Sequence, residues 1–75
     1  MKLRGIVATN LRRLRRAQGL SQEELADRAG INRNYIGMLE REENAATVDM
    51  LERLAGVLGV EPTELLEVER PADQR

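Results

Sequence analysis

Arg33 and Asn34 stand side by side at the start of a short patterned stretch, Asn32-Arg33-Asn34-Tyr35-Ile36-Gly37-Met38-Leu39-Glu40-Arg41. A guanidinium and a carboxamide offered by one exposed helical turn supply donors and acceptors that match base edges in the major groove of a duplex. The remaining polar side chains offer less chemistry. Cysteine and histidine are both absent, which removes thiolate and imidazole catalysis, disulfides, and zinc sites built from nitrogen and sulfur. The carboxylate pairs Glu23/Glu24 and Glu42/Glu43 diverge when adjacent on a helix and have no imidazole behind them, so an enzyme is not expected. The single aromatic residue, Tyr35, is too little for a base-stacking surface of the single-strand-binding kind.

The elements that must position Arg33 and Asn34 are helical. Apolar residues recur at helical spacing throughout, and no stretch alternates with period two long enough to predict a strand. Leu3, Val7, Leu11 and Leu14 mark a first helix ending near Gly19, whose left-handed conformation is a natural stop. Ser21 and Glu24 are spaced as a capping box opening a second helix that runs to about Ala29. Gly30 breaks the pattern, Ile31 plugs the turn, and Asn32 caps a third helix through about Glu40. Two short helices joined by a tight glycine turn need a small residue where they approach, and Ala26 supplies it. With Leu25, Ala29, Ile36 and Leu39 facing inward, the third helix leaves Arg33, Asn34, Gly37, Met38 and Arg41 toward solvent. Residues 41–46 read as a loop. Thr47 can cap a fourth helix whose stripe of Val48, Leu51, Leu54, Ala55 and Leu58 ends at Gly59. Pro62 suits the first turn of a short fifth helix carrying Leu65 and Leu66, and Pro71 stops any extension. The expectation is an all-α, compact five-helix bundle with a central helix-turn-helix, one domain over residues 1–69, and a frayed tail over 70–75.

The chain's 75 residues leave no room for a second catalytic or ligand-binding domain, and no cofactor, metal or small-molecule ligand is expected. A core of this size gives little stability by itself, so self-association is the remaining reinforcement. At 41% hydrophobic and 33% charged the chain reads as soluble and globular, with no membrane span and no secretory segment; a cytoplasmic location follows. The net charge of −1 hides a strong polarity. Residues 1–34 hold eight cations against three carboxylates, a net of +5, whereas residues 35–75 hold four against ten, a net of −6. One face can attract a polyanion while the opposite end keeps the molecule soluble.

Leu11 through Leu66 resembles the helix-turn-helix domain of phage repressors, the Xre family of bacterial regulators and the restriction-modification controller proteins. Three stretches carry the likeness: Gly19-Leu20-Ser21-Gln22-Glu23-Glu24-Leu25-Ala26, then residues Asn32 to Arg41, then Leu54-Ala55-Gly56-Val57-Leu58-Gly59-Val60 ahead of Leu65-Leu66. The Asn-Arg-Asn-Tyr start of the third helix most resembles the controller proteins. The resemblance implies that Arg33 and Asn34 reach bases, with Met38 as an apolar contact one turn later. It implies that Ser21 and Gln22 grip a phosphate at a helix start, and that Tyr35, Asn44 and Thr47 touch the backbone from the far side. Arg15 and Glu40 match a pair that forms a buried salt bridge in phage repressors.

Two departures concern the loop: Glu42 replaces a frequent glycine, and Ala46 replaces a common proline before the fourth helix. Glu42 and Glu43 also bring negative charge near where phosphates would pass. The resemblance further implies a sequence-specific double-stranded DNA-binding transcriptional regulator, a homodimer joined through Val57, Val60, Leu65 and Val68, and a near-palindromic operator. The alternative is a protein-binding module of the same fold, an antitoxin or adaptor, gripping its partner through the acidic C-terminal half.

Overall fold

The computed structural model describes residues 2–68. The expected domain limit at 69 and the expected fraying of 70–75 lie outside the described residues. Four α-helices follow one another: α1, Leu3–Ala17; α2, Gln22–Ala29; α3, Arg33–Glu40; and α4, Val48–Leu58. The described residues contain no strand. The fifth expected helix is instead a 3-10 segment, Pro62–Leu66. Glu64 closes it early, since its amide bonds to the Glu61 carbonyl at 2.9 Å and its Oε2 accepts from the Glu61 amide at 2.9 Å. Three-residue closure of this kind suits a run too short to gain from α-helical propagation.

Local chemistry sets the starts of α2, α3 and α4. Ser21 Oγ accepts from the Glu24 amide at 3.0 Å while Glu24 Oε1 accepts from the Ser21 amide at 2.9 Å, a complete capping box. Asn32 Oδ1 takes the Asn34 amide at 2.8 Å, and Thr47 Oγ1 takes the Met50 amide at 3.1 Å. Each bond satisfies an amide that the helix itself leaves without a carbonyl. Gly30 turns the chain from α2 into α3 at φ +69°, a conformation that costs any residue with a Cβ, and Ile31 behind it bonds back to the Ala26 carbonyl at 2.9 Å.

The core is drawn from every element: Val7 and Leu11 from α1, Leu25 and Ala26 from α2, Ile36 and Leu39 from α3, Leu51, Leu54, Ala55 and Leu58 from α4, and Leu65 from the 3-10 segment. Burying one such leucine is worth roughly 1.5–3 kcal/mol, so this shared centre fixes how α2 and α3 cross. Helix α1 packs on α3 and on the 3-10 segment, and α2 packs on α3 and α4. Two apolar residues expected on these elements turn outward. Val48 opens α4 pointing outward, 81% exposed, and Leu66 is 40% exposed.

Leu65 is fully buried, which corrects its assignment to a dimer interface: its side chain is spent on the core of its own chain. The buried amide of Asn10 holds it there, Nδ2 donating to the Leu65 carbonyl at 3.0 Å and to the Glu67 carbonyl at 2.8 Å, with Oδ1 accepting from Arg13 Nη2 at 3.2 Å. Val57 and Val60 are half-buried against the core, and Val68 is 51% exposed.

Helix α3 ends in a paired closure in which the Glu43 amide bonds to the Met38 carbonyl at 2.8 Å and the Glu42 amide to the Leu39 carbonyl at 3.2 Å. This closure requires a left-handed residue, and Glu42 occupies it at φ +62°. A side-chain-bearing residue there costs roughly 1–2 kcal/mol, against which glycine's extra unfolded freedom costs about 0.5–1 kcal/mol. Glu42→Gly is therefore expected to stabilise the fold by about 0.5–1 kcal/mol, raising the thermal midpoint by a few degrees in calorimetry. A lowered midpoint would mean that the Glu42 carboxylate, which packs over Gly5 of α1, outweighs the backbone strain.

Candidate nucleic-acid interface

The start of α2 and the outer face of α3 enclose a groove lined by Ser21, Gln22, Glu23, Arg33, Asn34, Gly37 and Arg41, with Arg15 beneath. Arg33 and Asn34 are both exposed, and Arg33 Nη1 lies 3.5 Å from Glu23 Oε2 in an ion pair open to water. Such a pair is weak and easily exchanged for another acceptor. The capping box takes up the Glu24 amide and leaves the Gln22 and Glu23 amides aimed out of the helix end, where an anion is favoured. Glu24 itself is held below the ordinary carboxylate range by the Ser21 backbone amide first and the Ser21 hydroxyl second.

Beneath the groove sits the most deeply buried charge pair. Arg15 Nε donates to Glu40 Oε2 at 2.7 Å and Nη2 to Glu40 Oε1 at 3.0 Å, while Nη1 closes on the Leu20 carbonyl at 2.8 Å. The residues are 8% and 5% exposed. Gln22 joins them, its Nε2 donating to Glu40 Oε1 at 3.0 Å, and Arg12 Nη2 donates to the Glu40 carbonyl at 2.7 Å. Burial opposes ionisation of Glu40 most strongly, yet hydrogen bonds from Arg15 and Gln22, with the charges of Arg15 and Arg12, hold its carboxyl below the usual range. The same bond to Glu40 raises Arg15. Because a carboxylate only accepts, it fixes which end of the Gln22 amide faces inward and leaves Oε1 toward the groove.

The structure thus brings Ser21, Gln22, Arg33 and Asn34 together. It does not bring the other expected contacts into the groove. The Tyr35 hydroxyl donates to the Ala45 carbonyl at 3.0 Å, an exposed bond that ties α3 to the α3–α4 loop. Asn44 Oδ1 accepts from the Ala45 amide at 2.9 Å, leaving its amide nitrogen, and Thr47 is engaged as a cap through its oxygen. Met38 is half-buried and does not line the groove. Gly37, expected toward solvent, is buried, because Arg41 and Gln22 cover it. Sequence spacing puts Arg41 on the outer face of α3 but does not show that its guanidinium folds back into the groove. Nor does it show the Gln22–Glu40 bond, which joins residues 18 apart. Among the described residues, no group of three acidic side chains is placed to hold a metal ion, and no helix is long and apolar enough to cross a membrane.

Two short helices crossing through a glycine turn, the second exposed along one side, define a helix-turn-helix module. The helix-turn-helix family model matches residues 11–65, and the chain belongs to that family. It is 44% identical over 66 residues to the uncharacterized HTH-type transcriptional regulator y4dJ of Sinorhizobium fredii, covering 88% of this chain and 86% of the relative. Control protein C.SmaI of Serratia marcescens is 41% identical over 66 residues, with 88% and 79% covered. The crystal structure of the restriction-modification controller protein C.AhdI from Aeromonas hydrophila superposes with a TM-score of 0.80 at 40% identity, over 83% of this chain and 94% of that one.

Removing one partner of a buried ion pair strands the other, at a cost of about 3–5 kcal/mol. Arg15→Ala is therefore expected to lower the thermal midpoint by more than about 10 °C. The pH profile gives a second readout. Folded Glu40 binds protons less readily than in the unfolded chain, so its contribution is present above the ordinary carboxylate pKa of about 4.3 and is lost as pH falls through the lowered folded value. Without Arg15, burial favours the neutral acid, and the loss of stability toward acid should shrink. A variant matching the wild type in both midpoint and acid profile would contradict the pair's role.

Proposed function

We propose that this chain is a sequence-specific, double-stranded DNA-binding transcriptional regulator of the cytoplasm. It acts as a homodimer on a near-palindromic operator, with α3 in the major groove and half-sites roughly one helical turn apart. The observation that carries this reading is the single groove in which exposed Arg33 and Asn34 face the amide-rich start of α2 across a floor anchored by Arg15 and Glu40. Family membership and the resemblance to controller proteins support it. In this reading Arg33 and Asn34 read bases, the start of α2 at Ser21 and Gln22 contacts phosphate, and Thr47 and the Asn44 amide meet the backbone further along.

The dimer proposal draws support from where apolar surface is exposed. Leu3 at 61%, Val48 at 81% and Leu66 at 40% line one groove together with Val7, Leu39 and Leu51, and Val68 is exposed nearby in sequence. Small domains with neither disulfide nor metal gain stability by covering such surface, and a second copy is the occupant proposed. Sedimentation at micromolar concentration is expected to give twice the monomer mass of 8.5 kDa, and Val48→Asp to give the monomer with an unchanged helical signal. A wild-type monomer at those concentrations, on and off DNA, would overturn the dimer.

Selection of bound duplexes from a random pool tests the main reading. Arg33→Ala should then weaken binding to the selected site by about 1–3 kcal/mol and relax preference at one base pair, whereas Gln22→Ala should weaken all duplexes more evenly. Affinity should fall steeply with salt. Equal losses for Arg33→Ala on selected and random DNA would remove it from base reading. A salt-independent or absent interaction with duplex DNA would favour the protein-binding alternative.

A further inference from the structure

Gly37 sits in the interior of α3, where glycine is less favourable than alanine. Its neighbours account for it. A Cβ at this position would lie 2.9 Å from Arg41 Nη1, 3.7 Å from Arg41 Cζ and 3.6 Å from Gln22 Oε1. The Arg41 guanidinium therefore lies back along the helix over the bare backbone of residue 37, one turn before its own Cα, and into the groove that holds Arg33 and Asn34. Its outer edge is clamped: Nε donates to Glu43 Oε2 at 2.9 Å and Nη2 to Glu43 Oε1 at 3.2 Å. Two parallel bonds of this kind fix the plane of the guanidinium as well as its position. The opposite edge, Nη1 with the second proton of Nη2, makes no hydrogen bond among the described residues, and its Nη1 end lies beside Gly37 and Gln22 at the wall of the groove.

We infer that Arg41 is a further specificity-determining residue that reads a guanine through this free edge, with Gly37 as the gap that admits it and Glu43 as the clamp that aims it. The inference rests on the DNA-reading function proposed above and adds a third base-reading position, just past the end of α3. Charge distinguishes a base from a phosphate as the target. The Arg41–Glu43 pair is neutral, so it has little general attraction for an anion, and the Glu43 carboxylate repels a phosphate brought to the same edge. Guanine O6 and N7 are uncharged acceptors spaced for a bidentate fork, and a directional donor pair of fixed plane suits them. The carboxylate that appears misplaced beside a nucleic-acid surface thus removes nonspecific pull from the arginine while holding its geometry.

The test uses the full chain and its selected duplex, with each guanine of a half-site replaced in turn by 7-deazaguanine, which lacks the N7 acceptor. One replacement should weaken the wild type about tenfold and leave Arg41→Lys unaffected, while that variant, which keeps its charge, retains the wild-type salt slope. This guanine should differ from the one whose replacement is silent in Arg33→Ala. Gly37→Ala should hold or raise the thermal midpoint, alanine being the better helix former, yet lower the ratio of selected to random binding about tenfold. Glu43→Gln should raise binding to random duplexes while lowering that ratio. If every 7-deazaguanine penalty is the same in Arg41→Lys as in the wild type, or if Gly37→Ala keeps the wild-type ratio, the inference is wrong although the DNA-reading function stands. If the wild type selects no sequence at all, the proposed function fails first and the inference with it.

Discussion

The Arg15–Glu40 pair is the constraint on which the groove depends. Glu40 closes α3, Arg15 comes from the C-terminal half of α1, and Gln22 begins α2, so one carboxylate ties together the three elements that shape the surface. A buried ion pair is a poor source of net stability compared with apolar side chains of equal size, because both charges must leave water. Its value here is geometric. Apolar contacts between α2 and α3 fix their distance but tolerate small rotations, whereas a bidentate bond of 2.7 and 3.0 Å with a third donor on the same oxygen tolerates few. The angle at which α3 presents Arg33 and Asn34 is thereby set from below.

Charge on the surface follows a related economy. The three arginines that line or underlie the groove are each accompanied by a carboxylate: Arg15 by Glu40, Arg33 by Glu23, and Arg41 by Glu43. The exposures differ greatly, and so does the meaning. The first pair is buried and permanent, the second is open and exchangeable, and the third is exposed but held in a plane by two bonds to the carboxylate. Glu43 also lies below the ordinary carboxylate range because Arg41 bonds to it, so this neutralisation persists in mildly acidic solution. A face built in this way has directional donors without a large positive field.

Much of this arrangement was legible in the sequence, and the reasons are specific. Helix starts at Ser21, Asn32 and Thr47 are chemical statements made within three or four residues, and the left-handed stops at Gly19, Gly30 and Gly59 are equally local. Periodicity correctly put Ile36 and Leu39 inward and Arg33 and Asn34 outward. Local signals failed where a long-range partner decided the outcome. Leu65 looked available to a partner until Asn10, 55 residues earlier, pinned its carbonyl. Gly37 reads as exposed because periodicity cannot show a side chain folding back over it. The replacement of glycine by Glu42 was visible as a departure, but only the positive φ shows that the backbone shape was kept despite it.

Tyr35 has one more property that its position makes useful. The chain has no tryptophan or phenylalanine, so this ring is its sole chromophore of appreciable near-ultraviolet absorbance and emission. Tyrosine light output responds to what its hydroxyl is bonded to, and here that group reaches across from α3 to the segment leading into α4. The molecule therefore carries a native optical reporter at a single defined spot beside the surface of interest, readable without labels, dyes or a competing background from elsewhere in the fold.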